Sequence, residues 1–501
     1  MASAPSFETA LSLARRDVGN VAAVASVAVR AIDERREEDG LALVDQALRH
    51  APRTQALLHV RGLLYRTLGE TDRAVAALDE AAAAGPVTAR LAQARAHVAL
   101  EAGLPAAALH EEARRLAPLD MATALGHAAA LAAEGGDGEA DALLADILRQ
   151  NPVWLEGHAA LARARQAAGR TDQLAAIDAA IGGTPGEFAL WQLKIAIQHR
   201  AREYGAEART LAEARQRFGE SQALVAAAAM LSTELGDAGA ADAAFARIDP
   251  FAETALMVHW LRHQVRQGRP ERVVAQAPRL IARADVNDAW PYLSIAMRMT
   301  NDARIGWLED VPRFVRVFDL GFSPAELNGL ATCLRSLHLA RAQPLDQSVR
   351  GGTQTDGPLF QRMDAPIRAL RARIETAIAD YVASLPDPIE GHPLLGRIPR
   401  RPRFIGSWSV RLTGGGFHDS HLHPYGWLSS AFYVAVPDAP AGSEEGFLTL
   451  GEPQEILGTG LPPYRTIAPR PGQLVLFPST MWHGTRPFGS GERLTAAFDV
   501  G

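Results

Sequence analysis

Three histidines near the end of the 501-residue chain have the spacing of a metal site. His421 and His423 are separated by one residue in the segment GGGFHDSHLHP, and His483 follows sixty residues later in FPSTMWHGTRPF. In an extended strand, side chains two positions apart point to the same face, so His421 and His423 can face one cavity. Imidazole nitrogen suits iron, copper, zinc and nickel. The pattern therefore predicts that these three histidines bind a metal ion.

An arginine ten residues after His483 extends this pattern. Arg493 begins the segment RLTAAFDV, and its spacing resembles that of the iron(II)- and 2-oxoglutarate-dependent oxygenase superfamily. There an arginine on the last core strand holds the far carboxylate of 2-oxoglutarate, which a planar guanidinium can bind with two charge-assisted hydrogen bonds. The resemblance implies iron(II), 2-oxoglutarate and dioxygen, with Arg493 as the carboxylate anchor. Thr495, Tyr433 and Ser429 are the further side chains expected to contact 2-oxoglutarate.

The first histidine segment resembles the prolyl-hydroxylase type of sequence, with one departure. In that type a Gly-Gly turn leads to His-x-Asp, so His421 falls on the first iron histidine and His423 falls on the carboxylate. The usual site is a facial triad of two histidines and one carboxylate. Three possibilities stay open: His423 is the third ligand, Asp419 supplies a carboxylate, or the position is vacant. The aspartyl/asparaginyl β-hydroxylases, which also carry tetratricopeptide repeats, resemble the vacant case.

The resemblance to one group of these oxygenases covers about a third of the chain. Residues from about 340 to 499 resemble a bacterial and phage group of 2-oxoglutarate/iron oxygenases in GSWSVRL, GWLSSAFYV, PGQLVLFPS, WHGTRPF and ERLTAAFDV. The implied function is an iron(II)- and 2-oxoglutarate-dependent dioxygenase that hydroxylates a C–H bond. The resemblance to this group of oxygenases does not indicate the substrate.

Two alternative functions are also compatible with the sequence. A cupin-type metalloenzyme that does not use 2-oxoglutarate also has H-x-H and a late histidine, but the glutamate that usually follows is missing between Pro424 and Val434. A non-catalytic tetratricopeptide adaptor with a vestigial barrel is the other alternative. The intact His421, His483 and Arg493 argue against it.

The elements that carry these residues are short strands separated by turns. Residues 404–499 contain FIGSWSVRL, WLSSAFYVAV, EGFLTLG, QLVLFP and RLTAAFDV, and several of these alternate apolar and polar residues. Many short strands with Gly and Pro turns predict a double-stranded β-helix, or jelly roll. A preceding helix has an apolar stripe from Ile367 to Tyr381 that we expect to pack outside the sheet. We predict an oxygenase domain at 363–501, with its core at 404–499.

The first 300 residues follow a different, helical pattern. Pro52, Pro86, Pro118 and Pro152 are separated by 34, 32 and 34 residues, the period of helix–turn–helix repeats. The unit ALLHVRGLLYRTLGETDRAVAALDEAAAAGP resembles the tetratricopeptide motif. Such units stack into a solenoid whose concave surface binds peptides. We expect this array at 1–300, a helical connector and loop at 301–362, and a protein or peptide substrate bound through the array.

Composition excludes several other classes of protein. The chain is 48% hydrophobic and 22% charged, as in soluble globular proteins, and its net charge of −6 provides no basic field for nucleic acid. Cys333 is the only cysteine, which excludes a disulfide within the chain and a cysteine-ligated cluster. No membrane span and no signal peptide are expected. We therefore expect a cytoplasmic multidomain α + β protein, an all-α tetratricopeptide solenoid followed by a jelly-roll barrel with supporting helices.

Overall fold

The computed structural model describes residues 5–282, 287–345, 347–437, 440 and 442–501. The chain forms two compact units, one made of Met1–Asp146 with Gly357–Arg368, the other of Ile147–Asp356 with Ala369–Gly501. The predicted boundaries at residues 300 and 362 do not coincide with the limits of these units, and they stay a prediction. Within the described residues, no helix has the length and apolar character needed to cross a bilayer.

The helical part of the chain is a succession of helix pairs joined by short turns. Its helices are α1 (Phe7–Arg16), α2 (Val21–Asp33), α3 (Glu37–His50), α4 (Gln55–Thr67), α5 (Thr71–Ala83), α6 (Ala89–Glu101), α7 (Ala107–Leu116), α8 (Met121–Ala133), α9 (Asp137–Gln150), α10 (Leu155–Ala167), α11 (Ala175–Gly183), α12 (Phe188–Arg200), α13 (Tyr204–Phe218), α14 (Gln222–Leu235), α15 (Ala238–Phe245), α16 (Thr254–Arg266), α17 (Pro270–Val274), α18 (Ala277–Ile281) and α19 (Trp290–Met299).

The spacing of these helices confirms the tetratricopeptide-like repeat. From α2 to α16, the first helix of each pair has 13 or 14 residues and begins 32 to 34 residues after the previous one. Gly62 shows why the motif needs a small residue where two helices cross. A Cβ at Gly62 would lie 2.6 Å from Leu78 Cγ, so any larger residue would push α4 and α5 apart. Leu57, Leu64 and Leu78 are almost completely buried in the core of this region.

The C-terminal part contains a nine-stranded, curled antiparallel sheet, which confirms the predicted jelly-roll class. Its strands are β1 (Arg316–Asp319), β2 (Val349–Gln354), β3 (Phe404–His421), β4 (Leu428–Ala435), β5 (Leu448–Leu450), β6 (Arg465–Ile467), β7 (Gln473–Pro478), β8 (His483–Thr485) and β9 (Glu492–Val500). The strand order is β1-β7-β4-β9-β3-β8-β5-β6, and β2 pairs with β3. The remaining helices are α20 (Ile305–Leu308), α21 (Val311–Phe314), α22 (Pro324–Leu337) and α23 (Ala365–Ala383), with short 3₁₀ turns at Asn287–Ala289, Leu359–Gln361, Leu395–Arg397 and Glu455–Leu457.

Two strands come from the segment whose sequence predicts only a helical connector and loop. β1 pairs with β7, and β2 pairs with β3. The sequence of β2, VRGGTQ, lacks an apolar alternation. Its two glycines are instead needed for the local backbone conformation. Gly351 has φ +67°, and a Cβ on Gly352 would lie 2.4 Å from the carbonyl oxygen of Arg411. The two glycines therefore permit a register shift and a close approach to β3.

Late helices share a hydrophobic core with the strands that carry the histidines. Leu261 of α16 and Leu293 of α19 belong to the same buried cluster as Trp482, the residue before His483. The Trp482 indole also donates a hydrogen bond to the carbonyl oxygen of Pro291 at 3.2 Å. The position of β8 is therefore fixed by helices as well as by its neighbouring strands.

Candidate metal and co-substrate site

The sheet brings the three predicted histidines together. β3 ends at His421 and β8 begins at His483, and these two residues are directly opposite in the antiparallel pairing. His423 lies just beyond β3, where its backbone N–H donates to the carbonyl oxygen of Ser479 at 3.1 Å. One ring nitrogen of each histidine lies within 4.8 Å of those of the other two. The three histidines could therefore hold a metal ion between them.

Main-chain carbonyls orient two of the three rings. His421 Nδ1 donates to the carbonyl oxygen of Asp419 at 2.8 Å, and His483 Nδ1 donates to that of Met481 at 3.1 Å. A carbonyl oxygen only accepts hydrogen bonds, so each Nδ1 must carry the proton and each Nε2 keeps its lone pair. Both rings are thus held in the tautomer that can bind a metal through Nε2.

A carboxylate orients the third ring. His423 Nδ1 donates to Asp499 Oδ2 at 2.8 Å, while the Ser429 hydroxyl donates to Asp499 Oδ1 at 2.6 Å. Ser429, which the sequence predicts as a contact of 2-oxoglutarate, is therefore engaged elsewhere. Its partner Asp499 is six residues along β9 from Arg493, a separation of roughly 20 Å in a strand. Ser429 supports the histidine end of the site rather than the arginine end.

Asp419, the alternative carboxylate, is also engaged elsewhere. Its Oδ2 lies 2.9 Å from Arg202 Nη2 and 3.0 Å from Arg350 Nη2. Among the described residues, the close metal-ligating cluster contains the three histidines and no carboxylate. Asp419 contributes to the site through its carbonyl oxygen, which accepts the hydrogen bond from His421.

Burial favours the neutral form, which binds metals, at His421 and His483. Burial, followed by the neighbouring His423, lowers the pKa of His421 to about 3. Burial and then the nearby imidazoles lower the pKa of His483 well below its usual value. Aromatic rings pack against the cluster. Trp408 stacks on His423 with a centroid distance of 5.3 Å, and Phe477 lies 4.7 Å from His483.

A fourth histidine lines the same cavity but is not predicted by the sequence pattern. The ring of His418 stacks on that of His421 at 5.5 Å, and its Nδ1 lies 3.0 Å from the Ser348 hydroxyl. Burial, followed by the neighbouring His421, lowers the pKa of His418 well below its usual value. Residues three apart in a regular strand face opposite sides, so the sequence gives no reason to group these two histidines. A register shift between them, in the pairing of β3 with β8, removes that restriction.

Arg493 lies in the same cavity, and no described residue provides a counter-ion for it. It is 2% exposed, and its guanidinium carbon lies 5.1 Å from the centroid of the Tyr433 ring. Arg493 Nε and the Tyr433 hydroxyl are buried, and neither has a hydrogen-bond partner of good geometry among the described residues; the polar interaction that each side chain makes is with the other. Burial lowers the pKa of Arg493 and raises that of Tyr433. A buried cation is costly unless it is paired, so this arrangement fits a ligand that supplies a carboxylate.

Thr495 is placed on the same face of β9 as Arg493. It is 3% exposed and lines the cavity together with the three histidines and Arg493. Its pairing partner across the sheet is Tyr433. The structure therefore brings Arg493, Thr495 and Tyr433 together, as the sequence predicts, and separates Ser429 from them.

A large groove lies outside this cavity. It has a volume of about 1590 Å³ and is lined on one side by residues of α12, α14, α16 and α19, and on the other by the end of β3 and residues 452–463. Four residues line both the groove and the inner cavity: His418, His421, Gly484 and Thr485. They form the threshold between the two spaces.

Hydrogen bonds tie the helical wall of the groove to the strand that carries His421. Arg262 of α16 pairs with Glu234 of α14 at 2.6 Å and donates to Gln454 Oε1 at 2.7 Å. The Gln454 amide in turn donates to the carbonyl oxygen of Ser420, the residue before His421, at 2.8 Å. The helices therefore contribute to the position of β3 at the metal site.

Comparison with known proteins agrees with this architecture. Residues 406–499 match the model of the family described as "Putative 2OG-Fe(II) oxygenase". The chain thus joins a tetratricopeptide-like helical region to a C-terminal region that matches the model of this oxygenase family. A comparison with curated proteins gave no match.

Three solved structures are among those similar to parts of this chain. YrrB, a TPR protein with an unusual peptide-binding site, is 19% identical over 38% of this chain and 99% of its own, with a TM-score of 0.30. The viral collagen prolyl hydroxylase of Paramecium Bursaria Chlorella virus-1 is 15% identical over 37% of this chain and 95% of its own, with a TM-score of 0.25. HygX of Streptomyces hygroscopicus, solved with nickel, 2-oxoglutarate and hygromycin B, is 15% identical over 37% of this chain and 82% of its own, with a TM-score of 0.25.

Proposed function

We propose that this chain is an iron(II)- and 2-oxoglutarate-dependent dioxygenase that hydroxylates a protein or peptide. The observation that carries the proposal is one cavity lined by three histidine rings and by a buried arginine that has no counter-ion among the described residues. The three imidazoles fit a metal ion, and the arginine fits a carboxylate. The match of residues 406–499 to an oxygenase family supports the same combination.

Each side chain has a definite task in this proposal. His421, His423 and His483 would hold iron(II) through Nε2, because their Nδ1 atoms already donate to fixed acceptors. Arg493 would bind the far carboxylate of 2-oxoglutarate, assisted by the Tyr433 hydroxyl and Thr495. When bound, iron(II) and 2-oxoglutarate activate dioxygen, so that 2-oxoglutarate becomes succinate and carbon dioxide and a C–H bond of the substrate is hydroxylated.

The surrounding side chains exclude water and fix the geometry. Trp408 and Phe477 pack against the imidazoles, and Arg493 and Tyr433 are almost completely buried. A dry cavity strengthens the interaction between a guanidinium and a carboxylate and keeps the imidazoles neutral. The residues therefore prepare both binding positions before any ligand arrives.

The groove supports a polymeric substrate. Small-molecule sites usually have volumes of roughly 300–1,000 Å³, and the groove at His421 has about 1590 Å³. Its helical wall comes from the repeat region, and helical repeats commonly bind extended chains. We accordingly assign the repeat array to residues 1–300, the connector to 301–362 and the oxygenase domain to 363–501. The array would present a protein or peptide segment at the threshold beside His421.

An anaerobic titration tests the proposal. Addition of iron(II) and 2-oxoglutarate to the full-length protein should produce a weak visible charge-transfer band that neither component produces alone. Arg493→Ala should suppress the band at 2-oxoglutarate concentrations that saturate the wild type. A band that forms equally with iron(II) alone, or that never forms, would reject the co-substrate. Metal binding without any response to 2-oxoglutarate would favour the cupin-type alternative.

A further inference from the structure

The three histidines differ in the group that accepts a hydrogen bond from Nδ1. For His421 and His483 the acceptor is a neutral carbonyl oxygen two residues earlier in the chain. For His423 it is the carboxylate of Asp499, at 2.8 Å. The site therefore has one negative charge directly behind one of its three imidazoles.

We propose that Asp499 supplies, through His423, the negative charge that a carboxylate ligand supplies in the usual facial triad. Asp499 is then a positioning residue of the metal site, and this inference rests on the proposed function. Three neutral imidazoles alone would leave the full charge of a divalent ion uncompensated. A carboxylate that accepts from Nδ1 raises the basicity of Nε2 and strengthens its bond to a metal.

The charge of Asp499 is available to His423 because no arginine or lysine of the described residues neutralises it. Asp499 is 8% exposed, and within the described part of the chain its carboxylate forms no ion pair with an arginine or lysine. Its other oxygen accepts from the Ser429 hydroxyl, a neutral donor. Asp419 shows the opposite arrangement, since its carboxylate lies within 3.0 Å of two arginines. Of these two acids, only Asp499 directs an uncompensated charge at a histidine.

The strand pairing fixes Asp499 in this position. Asp499 and Ser429 are directly opposite in the pairing of β4 with β9, so the hydroxyl that orients the carboxylate comes from the neighbouring strand. Asp499 also has the same parity along β9 as Arg493 and Thr495. One face of one strand would thus serve both ends of the site, with Asp499 behind the metal and Arg493 at the co-substrate.

Cobalt(II) binding to the full-length protein tests this inference without relying on turnover. Asp499→Asn keeps the shape of the side chain and removes its charge, so it should weaken cobalt(II) binding by about 10- to 100-fold. Ser429→Ala, which leaves the charge in place but removes its orienting hydrogen bond, should weaken binding by roughly two- to tenfold. Glu492→Gln is the control, because Glu492 is an acid on the same strand that pairs instead with Arg335 and Arg411. It should bind cobalt(II) like the wild type.

A double-mutant cycle separates this role from a general effect on folding. If Asp499 acts through His423, Asp499→Asn should add little to the loss already caused by His423→Ala. An equal loss in both backgrounds would overturn the inference, as would an Asp499→Asn variant that binds cobalt(II) as tightly as the wild type. Ser429→Ala provides the same cycle if Asp499→Asn does not fold. Failure of the wild type itself to bind cobalt(II) or iron(II) would instead reject the proposed function.

Discussion

The two ends of the cavity differ in how far their polar groups are satisfied. At the histidine end, the Nδ1 atoms of His421, His423 and His483 each have an acceptor within 3.1 Å. At the arginine end, Arg493 Nε and the Tyr433 hydroxyl are buried without a hydrogen-bond partner of good geometry among the described residues. The histidine end is therefore organised before a ligand binds, whereas the arginine end becomes fully paired only with a ligand.

This difference follows from the local structure at each end. Two imidazoles are oriented by carbonyls of their own chain segment, which requires no distant partner. Arg493 and Tyr433 are brought together by the pairing of β4 with β9, and the two acids of β9 are engaged elsewhere, Asp499 with His423 and Glu492 with Arg335 and Arg411. Because a buried unpaired charge destabilises a fold, the arginine end stores free energy that a carboxylate ligand can release.

Arg493→Ala should have the largest effect and should separate the two ends. Loss of the guanidinium partner of a buried carboxylate costs about 2–5 kcal/mol, which corresponds to a rise in the 2-oxoglutarate Kd by tens- to thousands-fold. The cobalt(II) Kd, measured in parallel, should stay within about twofold, because none of the hydrogen bonds that orient the imidazoles involves Arg493.

Arg411→Ala is the matched control, since Arg411 is 39% exposed and pairs with Glu492. It should leave both constants near those of the wild type. An Arg493→Ala protein with unchanged 2-oxoglutarate affinity would remove the distinction between the two ends.

His423→Ala should have the next largest effect, at the other end. If His423 is the third ligand, the metal Kd should rise about 10- to 100-fold or more, since even the loss of outer partners has effects of that size. His423→Asp restores the usual pair of histidines with one carboxylate and should bind iron(II) more tightly than His423→Ala. Unchanged metal affinity in His423→Ala would instead indicate a site with two protein ligands.

Tyr433→Phe should sharpen the comparison with a smaller change. It removes only the unpaired hydroxyl and keeps the ring beside Arg493. The loss of one hydrogen bond to a ligand, about 0.5–1.5 kcal/mol, should weaken 2-oxoglutarate binding by roughly two- to tenfold. Isothermal titration should show this change with metal affinity unaltered. A tyrosine that only packs in the core would give the same 2-oxoglutarate Kd in both proteins.

The sequence predicts much of this site because its side chains have the spacing of residues on one strand face and of the oxygenase motif. His421, His423, His483 and Arg493 all carry that signal, and the structure brings all four to one cavity. Asp499 has a weaker signal, an acid in the apolar strand RLTAAFDV, whose partner is 76 residues away in the chain. Spacing alone does not show which distant side chain an acid meets, because strand register decides it.

The fold shows the same division between local and long-range information. The repeats are predicted because their period follows from contacts between neighbouring helices, as at Gly62 and Leu78. β1 and β2 are missed because each owes its extended form to a partner strand far along the chain. The groove is also missed, since it requires α12–α16 and the end of β3 to lie together. The sequence alone chiefly does not indicate which distant segments pair with each other.

A stability measurement tests the idea that the buried Arg493 destabilises the ligand-free protein. Arg493→Met replaces a buried cation with an apolar side chain of similar length, and even the replacement of a buried ion pair by apolar residues is often neutral or stabilising by about 1–4 kcal/mol. Without metal or 2-oxoglutarate, the variant should therefore melt a few degrees above the wild type, measured by thermal unfolding at neutral pH. Saturating metal and 2-oxoglutarate should raise the Tm of the wild type much more than that of the variant, because only the wild type gains binding energy from the carboxylate.

Arg411→Met, at an exposed and paired arginine, should not show the rise in Tm of the ligand-free protein. A ligand-free Arg493→Met protein that melts below the wild type would mean that the guanidinium already stabilises the fold, and the contrast between the two ends would be lost.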